Sequence, residues 1–469
     1  MIKFGTSGFR GILGDNFTKE NVQKVAYAVS QSLLKNGKTN ANICIGFDNR
    51  FMSKKYAEWI CEVLAIKHNI KFFENSVPTP LIAWNAKNYD LGIMLTASHN
   101  PYYYNGIKIF KNGGQECDDE FAAQIENVAN NVSYSEIEKI DFDNAVKSEK
   151  VVLTCEIDNY CDSVLNNVDF EFLKSHKQKV LVNVMHGSGL ECIRKILDKL
   201  EYNYEIMNEN LDPYFENKLP APYVQNLTEQ AKKMREGFDL GFAYDGDADR
   251  FTFVSSSGRI YDCNYVSAVV YYYLTVVKGQ KGDVVKNKAL TNLLKLIAEE
   301  NGNNVFEVRN GFKHVGAKLK ITNSIFGTET NGIAFKNHVM SKDGPMASML
   351  VLDAVAHIGK PFDDIVNEIY QRYNYKSVIK EFAYPVSDAL KNDIITKFSN
   401  KNYPKYKFEI DYVDDEEGYK IYYKNGYWGM VRFSGNEPVV RIFSEMQTDD
   451  ECNEMIACYE DFLGVKERQ

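Results

Sequence analysis

From Thr18 onward, apolar residues recur at helical spacing, with Val22, Val25, Ala26, Val29, Leu33 and Leu34 along one face. Gly37 falls where a C-terminal cap belongs. The apolar run Ile43–Phe47 then predicts a buried strand ending at Asp48-Asn49-Arg50, followed by a helix around Tyr56 to Lys67. A second run, Leu91 to Leu95, predicts another buried strand. Strands alternating with helices imply parallel pairing and an α/β layer architecture.

The pattern recurs along the chain. Lys179–Val184 leads into His186-Gly187-Ser188-Gly189, a setting in which His186 reads as structural. Asp239–Tyr244 leads into an aspartate cluster, and Ser324–Phe326 into Gly327-Thr328-Glu329-Thr330-Asn331-Gly332. Each apolar strand delivers a polar loop of small residues, which predicts three similar α/β domains. The charged stretch Tyr134 to Lys150 reads as the first linker, and the turn-like Ser255–Gly258 suggests that a new unit begins after Arg250. From about Tyr375 the pattern changes. Asn425-Gly426 between Tyr419–Tyr423 and Tyr427–Val431 is a hairpin signal. A strand at Val439–Phe443 and a closing helix from Asp450 to Phe462 complete an α+β unit. The expected domains are residues 1–140, 141–250, 251–370 and 371–469.

Composition narrows the function. The formal charge of -9 makes nucleic acid and anionic membranes poor general partners, although a local Arg/Lys cluster could still bind a small anion. Nine cysteines without a Cys-x-x-Cys pair suggest reduced thiols in a cytoplasmic protein, not a disulfide frame or zinc site. Met1–Thr6 lacks the apolar core of a signal peptide. Val266–Val277, the most apolar window, is interrupted by tyrosine and too short to span a bilayer, so it reads as a core helix or strand.

Candidate chemistry sits at the loops. Thr96-Ala97-Ser98-His99-Asn100-Pro101 presents Ser98 just past the carboxyl end of a buried strand, where open α/β sheets place ligands. Capping a turn is the commoner role for such a serine. A hydrolase reading fares worse, because no Gly-x-Ser-x-Gly elbow surrounds Ser98 and adjacency of His99 does not make it a base. Asp245-Gly246-Asp247-Ala248-Asp249-Arg250 reads either as a solvated acidic turn or as oxygen ligands for Mg²⁺. An EF-hand is excluded, since Arg250 and Ser256 stand where Gly and Glu are needed. Lys108, after Asn105-Gly106, is either solvated or able to neutralise a phosphate or move a proton. Gly5-Thr6-Ser7-Gly8-Phe9-Arg10-Gly11 combines close backbone approach with a guanidinium fork. Arg432-Phe433-Ser434-Gly435-Asn436-Glu437-Pro438, with Arg441 after it, offers the mixed donors of an anion nest. Glu329 and Asn331 suit sugar hydroxyls, with Lys313 as a nearby cation.

Taken in chain order, the five motifs Gly5–Gly11, Thr96–Pro101, Asp245–Arg250, Gly327–Gly332 and Arg432–Arg441 closely resemble those of the α-D-phosphohexomutase family, the phosphoglucomutases and phosphomannomutases. The resemblance covers nearly the whole chain. It implies three similar α/β domains with mixed sheets plus a C-terminal α+β domain, arranged around one cleft. It further implies Ser98 carried as phosphoserine, and Mg²⁺ held by Asp245, Asp247, Asp249 and the phosphoryl group. Lys108 becomes the general acid/base supported by Arg10, and Arg250 lies beside the transferring group. By the same resemblance, Arg432, Ser434, Gly435, Asn436 and Arg441 are expected to grip the distal phosphate of a phosphosugar substrate, with hexose 1,6-bisphosphate as the bound intermediate. Two positions depart from the family pattern: Asn331 replaces a serine and Asn436 a threonine. Both keep hydrogen-bonding capacity but leave the sugar open, glucosamine and pentose phosphates included. Gly311-Phe312-Lys313 leans toward the phosphoglucomutase branch. The competing functions are a non-catalytic phosphosugar-binding relative and a Mg²⁺-dependent phosphatase.

Overall fold

The computed structural model describes residues 1–5, 8–434 and 438–465. Three of its sheets share one plan. In the first, Asn69–Phe73, Asn42–Phe47 and Leu91–Leu95 run parallel, and Tyr104–Lys111 returns antiparallel to Leu91–Leu95. In the second, Asn203–Met207, Lys179–Asn183 and Leu240–Tyr244 are parallel, with Phe251–Ser255 antiparallel. The third repeats this with Val305–Val308, Asp283–Asn287, Ser324–Glu329 and the antiparallel Gly332–Phe335. Leu91–Leu95 and Leu240–Tyr244 are buried at every residue, which is why they read as unbroken apolar runs. The turn between the third and fourth strand of each plan spans eight, six or two residues, and these three turns carry the Ser98, Asp245 and Asn331 segments.

The sheets extend past the expected breaks after residues 140 and 250. Within the expected linker, the helix Phe142–Lys147 packs Phe142 edge-on against Phe72 at 5.2 Å. Val151–Thr154 then joins the first sheet beside Asn69–Phe73. Phe251–Ser255 and Ile260–Tyr261 belong to the second sheet, so the turn at Ser255–Gly258 lies inside a hairpin and does not open a new unit. An antiparallel return has no local signature separating it from the start of another domain.

Thr18 caps the helix Lys19–Lys35, accepting from the Asn21 N–H at 3.2 Å. The apolar window at Val266 lies in the buried helix Cys263–Tyr272, which continues as a π-turn through Val277. Among the described residues no helix is long and apolar enough to cross a membrane. The fourth sheet is antiparallel throughout, in the order Val378–Pro385, Val439–Met446, Trp428–Phe433, Tyr419–Tyr423, Ile410–Asp414. The helix Asp449–Leu463 packs on one face of it. On the other face, Tyr422, Trp428, Met430 and Phe443 meet Ala289 of the third domain.

Buried polar contacts join the first three domains. Asp343, fully buried, caps the helix Gly344–Ile358 and accepts from Tyr160 Oη at 2.9 Å. His338 Nε2 lies 3.0 Å from Asp343 and its Nδ1 3.0 Å from Ser163 Oγ, which accepts from Trp84 Nε1 at 2.9 Å. One chain of bonds thus crosses all three domains.

Candidate active site

The first and second turns meet. Ser98 Oγ donates to Asp245 Oδ2 at 2.6 Å across 147 residues of sequence. Ser98 at φ 54° and Ala248 at φ 55° both take left-handed backbone, a strained state for non-glycine residues that the surrounding structure must impose. Arg50, with a fully buried side chain, does much of the imposing. Its guanidinium donates to the carbonyls of Ser98, Asn100, Pro101 and Tyr104 at 2.5–3.2 Å, and pairs with Asp48 at 3.2 Å. On the other side, the Thr79 N–H and Oγ1 donate to Asp247 O at 2.9 Å and Asp247 Oδ2 at 2.6 Å.

Asp245, Asp247 and Asp249 are buried and offer oxygens within 4.8 Å of one another. Lys108 Nζ donates to Asp247 Oδ2 at 2.7 Å and Asp249 Oδ2 at 2.6 Å, and Lys342 Nζ lies 3.4 Å from Asp249 Oδ1. Burial works against the Lys108 charge, but Asp247 and Asp249 outweigh it and push its pKa up. Burial, and then Asp247 and Asp249, push Asp245 up to about 7. The Oδ1 atoms of Asp247 and Asp249 are buried without hydrogen-bond partners. Open oxygens on converging, hard carboxylates fit a Mg²⁺-like cation, which would relieve the strain on Asp245. His99 Nδ1 sits 3.3 Å from Ser98 Oγ. Burial, then Arg250 and Arg10, hold the imidazole well below its usual pKa, so it is neutral.

Of the remaining predicted residues, Arg10 and Arg250 flank this centre, and the others stand on the third and fourth domains. Arg10 pairs across strands with Gly106 and donates to Asn100 Oδ1. The Arg250 N–H bonds Asp245 Oδ1 at 3.1 Å, and its guanidinium reaches Tyr223 Oη at 3.3 Å. In the third domain, Glu329 Oε1 accepts from the Gly311 N–H at 2.6 Å. Thr330-Asn331 forms a two-residue turn, and the Asn331 carbonyl accepts from Phe251 N at 3.2 Å. Lys313 pairs with Asp119 of the first domain, so it spans the seam between the first and third domains. In the fourth domain, Arg432 and Arg441 lie directly opposite on adjacent strands and share a face. Arg432 lies 3.6 Å from Glu417, and Arg441 pairs with Glu381 at 2.5 Å. The Ser434 N–H bonds the Val439 carbonyl at 2.9 Å. Gly435 and Asn436 lie outside the described residues, as do Thr6 and Ser7 of the N-terminal motif. A cavity of about 730 Å³ separates the second, third and fourth domains, with Tyr223, Asn331, Glu381 and Arg441 on its walls.

Sequence reasoning assigned no role to Arg50, Thr79, Lys342 or Glu116. Arg50 carried a weak signal, since it ends the polar stretch after a buried strand. Thr79 and Lys342 act across domain boundaries, and Glu116 reaches Lys108 only through the pairing of two strands.

A serine set against an acidic triad, on three α/β repeats with an antiparallel fourth domain facing them, is the plan of the α-D-phosphohexomutases, and that is the class this fold defines. Family models for the phosphoglucomutase/phosphomannomutase α/β/α domains I, II and III match residues 1–136, 158–258 and 262–373. The model of the C-terminal domain matches residues 386–457. The chain is 30% identical to a phosphoglucomutase/phosphomannomutase of Thermococcus kodakarensis, covering 99% of this chain and 97% of that one. It is 28% identical to a phosphoglucosamine/phosphogalactosamine mutase of Sulfurisphaera tokodaii, covering 97% of each. A crystal structure of a candidate phosphomannomutase from Thermus thermophilus superposes with TM-score 0.85 at 24% identity, covering 99% of both chains. The chain belongs to the phosphoglucomutase/phosphomannomutase family.

Proposed function

We propose that this chain interconverts hexose 1-phosphate and hexose 6-phosphate, with glucose and mannose phosphates as its substrates, through phosphoserine 98 and a bound hexose 1,6-bisphosphate. The observation that carries this reading is the 2.6 Å contact between Ser98 Oγ and Asp245 in a buried acidic cluster. A serine so placed can carry a phosphoryl ester facing oxygen ligands. Asp245, Asp247 and Asp249, with the seryl phosphate, would hold Mg²⁺, which supplies charge neutralisation for the transferring group.

The P–Oγ bond of phosphoserine 98 breaks as a bond forms from phosphorus to the free sugar hydroxyl. Lys108, with Arg10 on the neighbouring strand, relays the proton that the hydroxyl loses, and the departing Ser98 Oγ takes up a proton to restore the serine hydroxyl. Arg250 faces the transferring group and adds positive charge. Glu329 and Asn331 take the sugar hydroxyls. Arg432, Ser434, Gly435, Asn436 and Arg441 take the distal phosphate. The bisphosphate reorients, and its other phosphate returns to Ser98. The nine free cysteines fit a reducing, cytoplasmic setting.

Ser98→Ala removes the phosphoryl carrier, so turnover should fall by more than about 10³-fold while the fold persists. Intact-mass analysis should find a phosphoryl adduct on the wild type and none on the variant. Sustained isomerisation by Ser98→Ala overturns the reading, and phosphate release matching isomer formation would point to a phosphatase. A second substrate reading, hexosamine phosphates, is favoured by the 28% identity to the Sulfurisphaera tokodaii mutase and by Asn331 in the sugar turn. Side-by-side kcat/KM with glucose, mannose and glucosamine 1-phosphates decides between them.

A further inference from the structure

Glu116 belongs to the two-residue strand Gln115–Glu116, which pairs antiparallel with Tyr104–Lys111 so that Glu116 lies opposite Phe110. Side chains alternate along a strand, so Glu116 shares a sheet face with Phe110 and, diagonally, with Lys108. Glu116 and Lys108 line one small pocket beside Gly8. Both carboxylate oxygens of Glu116 are buried and neither has a hydrogen-bond partner. Among the described residues it is the one carboxylate of which that is true. Burial raises its pKa, while Lys342 and then Lys108 pull it down, so both ammonium groups bear on it. A buried carboxylate with no donor is costly and calls for a partner in some working state of the protein.

The partner follows from what surrounds the triad. Lys108 spends its bonds on Asp247 Oδ2 and Asp249 Oδ2, oxygens of the carboxylates that converge on the candidate cation site. A divalent ion there repels the ammonium and competes for its acceptors, so Lys108 must find another anion. We propose that Glu116 is a positioning residue: when a divalent cation takes the Asp245-Asp247-Asp249 oxygens, the Lys108 ammonium turns to Glu116, which holds it on the cleft floor. This rests on the magnesium reading of the triad. It makes the two empty oxygens of Glu116 the counterpart of the two that Lys108 gives up.

The test is calorimetric titration of the full chain with Mg²⁺ alone, Ser98 being shown unphosphorylated by intact mass. Glu116→Gln strands Lys108 on the triad, so Mg²⁺ affinity should fall about tenfold or more, as for other outer-shell partners. Glu116→Asp keeps the charge and should restore most of it. With Lys108→Gln already present, Glu116→Gln should change affinity by less than about twofold, because the competing ammonium is gone. Unchanged affinity in Glu116→Gln, or fully additive losses in the double variant, overturns the proposal. Should Glu116→Gln not fold, the Mg²⁺-bound wild-type structure decides: Lys108 Nζ bonded to Glu116 supports it, and Lys108 still on Asp247 overturns it. No Mg²⁺ binding by the wild type would instead sink the reading of the triad itself.

Discussion

The two ends of the cleft are built differently. The Ser98 end is buried: Ser98, Lys108 and the three aspartates are each no more than 2% exposed. Buried Arg50 and Thr79 hold the backbone around them. At the fourth-domain end, the side chains of Arg432 and Arg441 are 18% and 31% exposed and rest on Glu417 and Glu381. Under the proposed function, reacting atoms need a fixed geometry, whereas a site that takes either phosphate in turn needs partners it can release. Partly exposed ion pairs are weak enough to be exchanged for a phosphate, and buried ones are not.

Arg50→Ala should break this contrast most severely. It strips four carbonyls of the serine loop of their donor and leaves buried Asp48 unpaired, which should cost about 3–5 kcal/mol in chemical denaturation, with kcat falling as Ser98 loses its position. Arg441→Ala should instead leave the midpoint of denaturation nearly unchanged and raise KM for the sugar phosphate about tenfold, a loss of roughly 1.5 kcal/mol from a charge-assisted bond. If both variants lost kcat and stability alike, the two ends would not differ as argued. Glu417→Gln is a finer probe. Freeing Arg432 from its carboxylate should lower KM about twofold, in line with the small worth of exposed pairs.

The smallest effect sharpens the comparison within the first domain, away from the cleft. His68 accepts from the Ala41 N–H at Nδ1, 3.2 Å away, and lies 2.9 Å from Ser30 Oγ at Nε2, so its neutral form is the one built in. Burial, helped by Lys150, lowers its pKa to about 4. The unfolded chain binds the proton first, near pH 6.5. The stability His68 contributes is therefore complete above about pH 6.5 and is lost as pH falls toward 4. His68→Gln should flatten that part of the stability–pH curve, read by denaturation midpoints, without altering KM. An unchanged slope would show that other groups set the acid sensitivity of the first domain.

Lys313 and Glu116 mark the limit of reading by motif. Lys313 sits in a recognisable segment, yet it pairs with Asp119 some 190 residues earlier. Glu116 sits in no motif, yet it shares a sheet face with Lys108 through a register that residue types do not announce. The first two sheets run past the expected breaks after residues 140 and 250 for the same reason, because Val151–Thr154 and the Phe251–Ser255 return join their sheets through pairing alone.

What residue order alone settles is the set of strands and the loops they deliver. A strand buried on both faces must be apolar throughout, and a loop that bends sharply at its end must use small or polar residues. The runs at Leu91, Lys179, Leu240 and Ser324, and the polar turns after them, are accordingly legible. Which loop faces which was decided by packing. The 2.6 Å between Ser98 and Asp245 joins residues far apart in the chain, and only the docking of one domain on another brings them within bonding distance, while the hold of Arg50 on four carbonyls and the placing of Glu116 beside Lys108 follow from strand pairing within the first sheet.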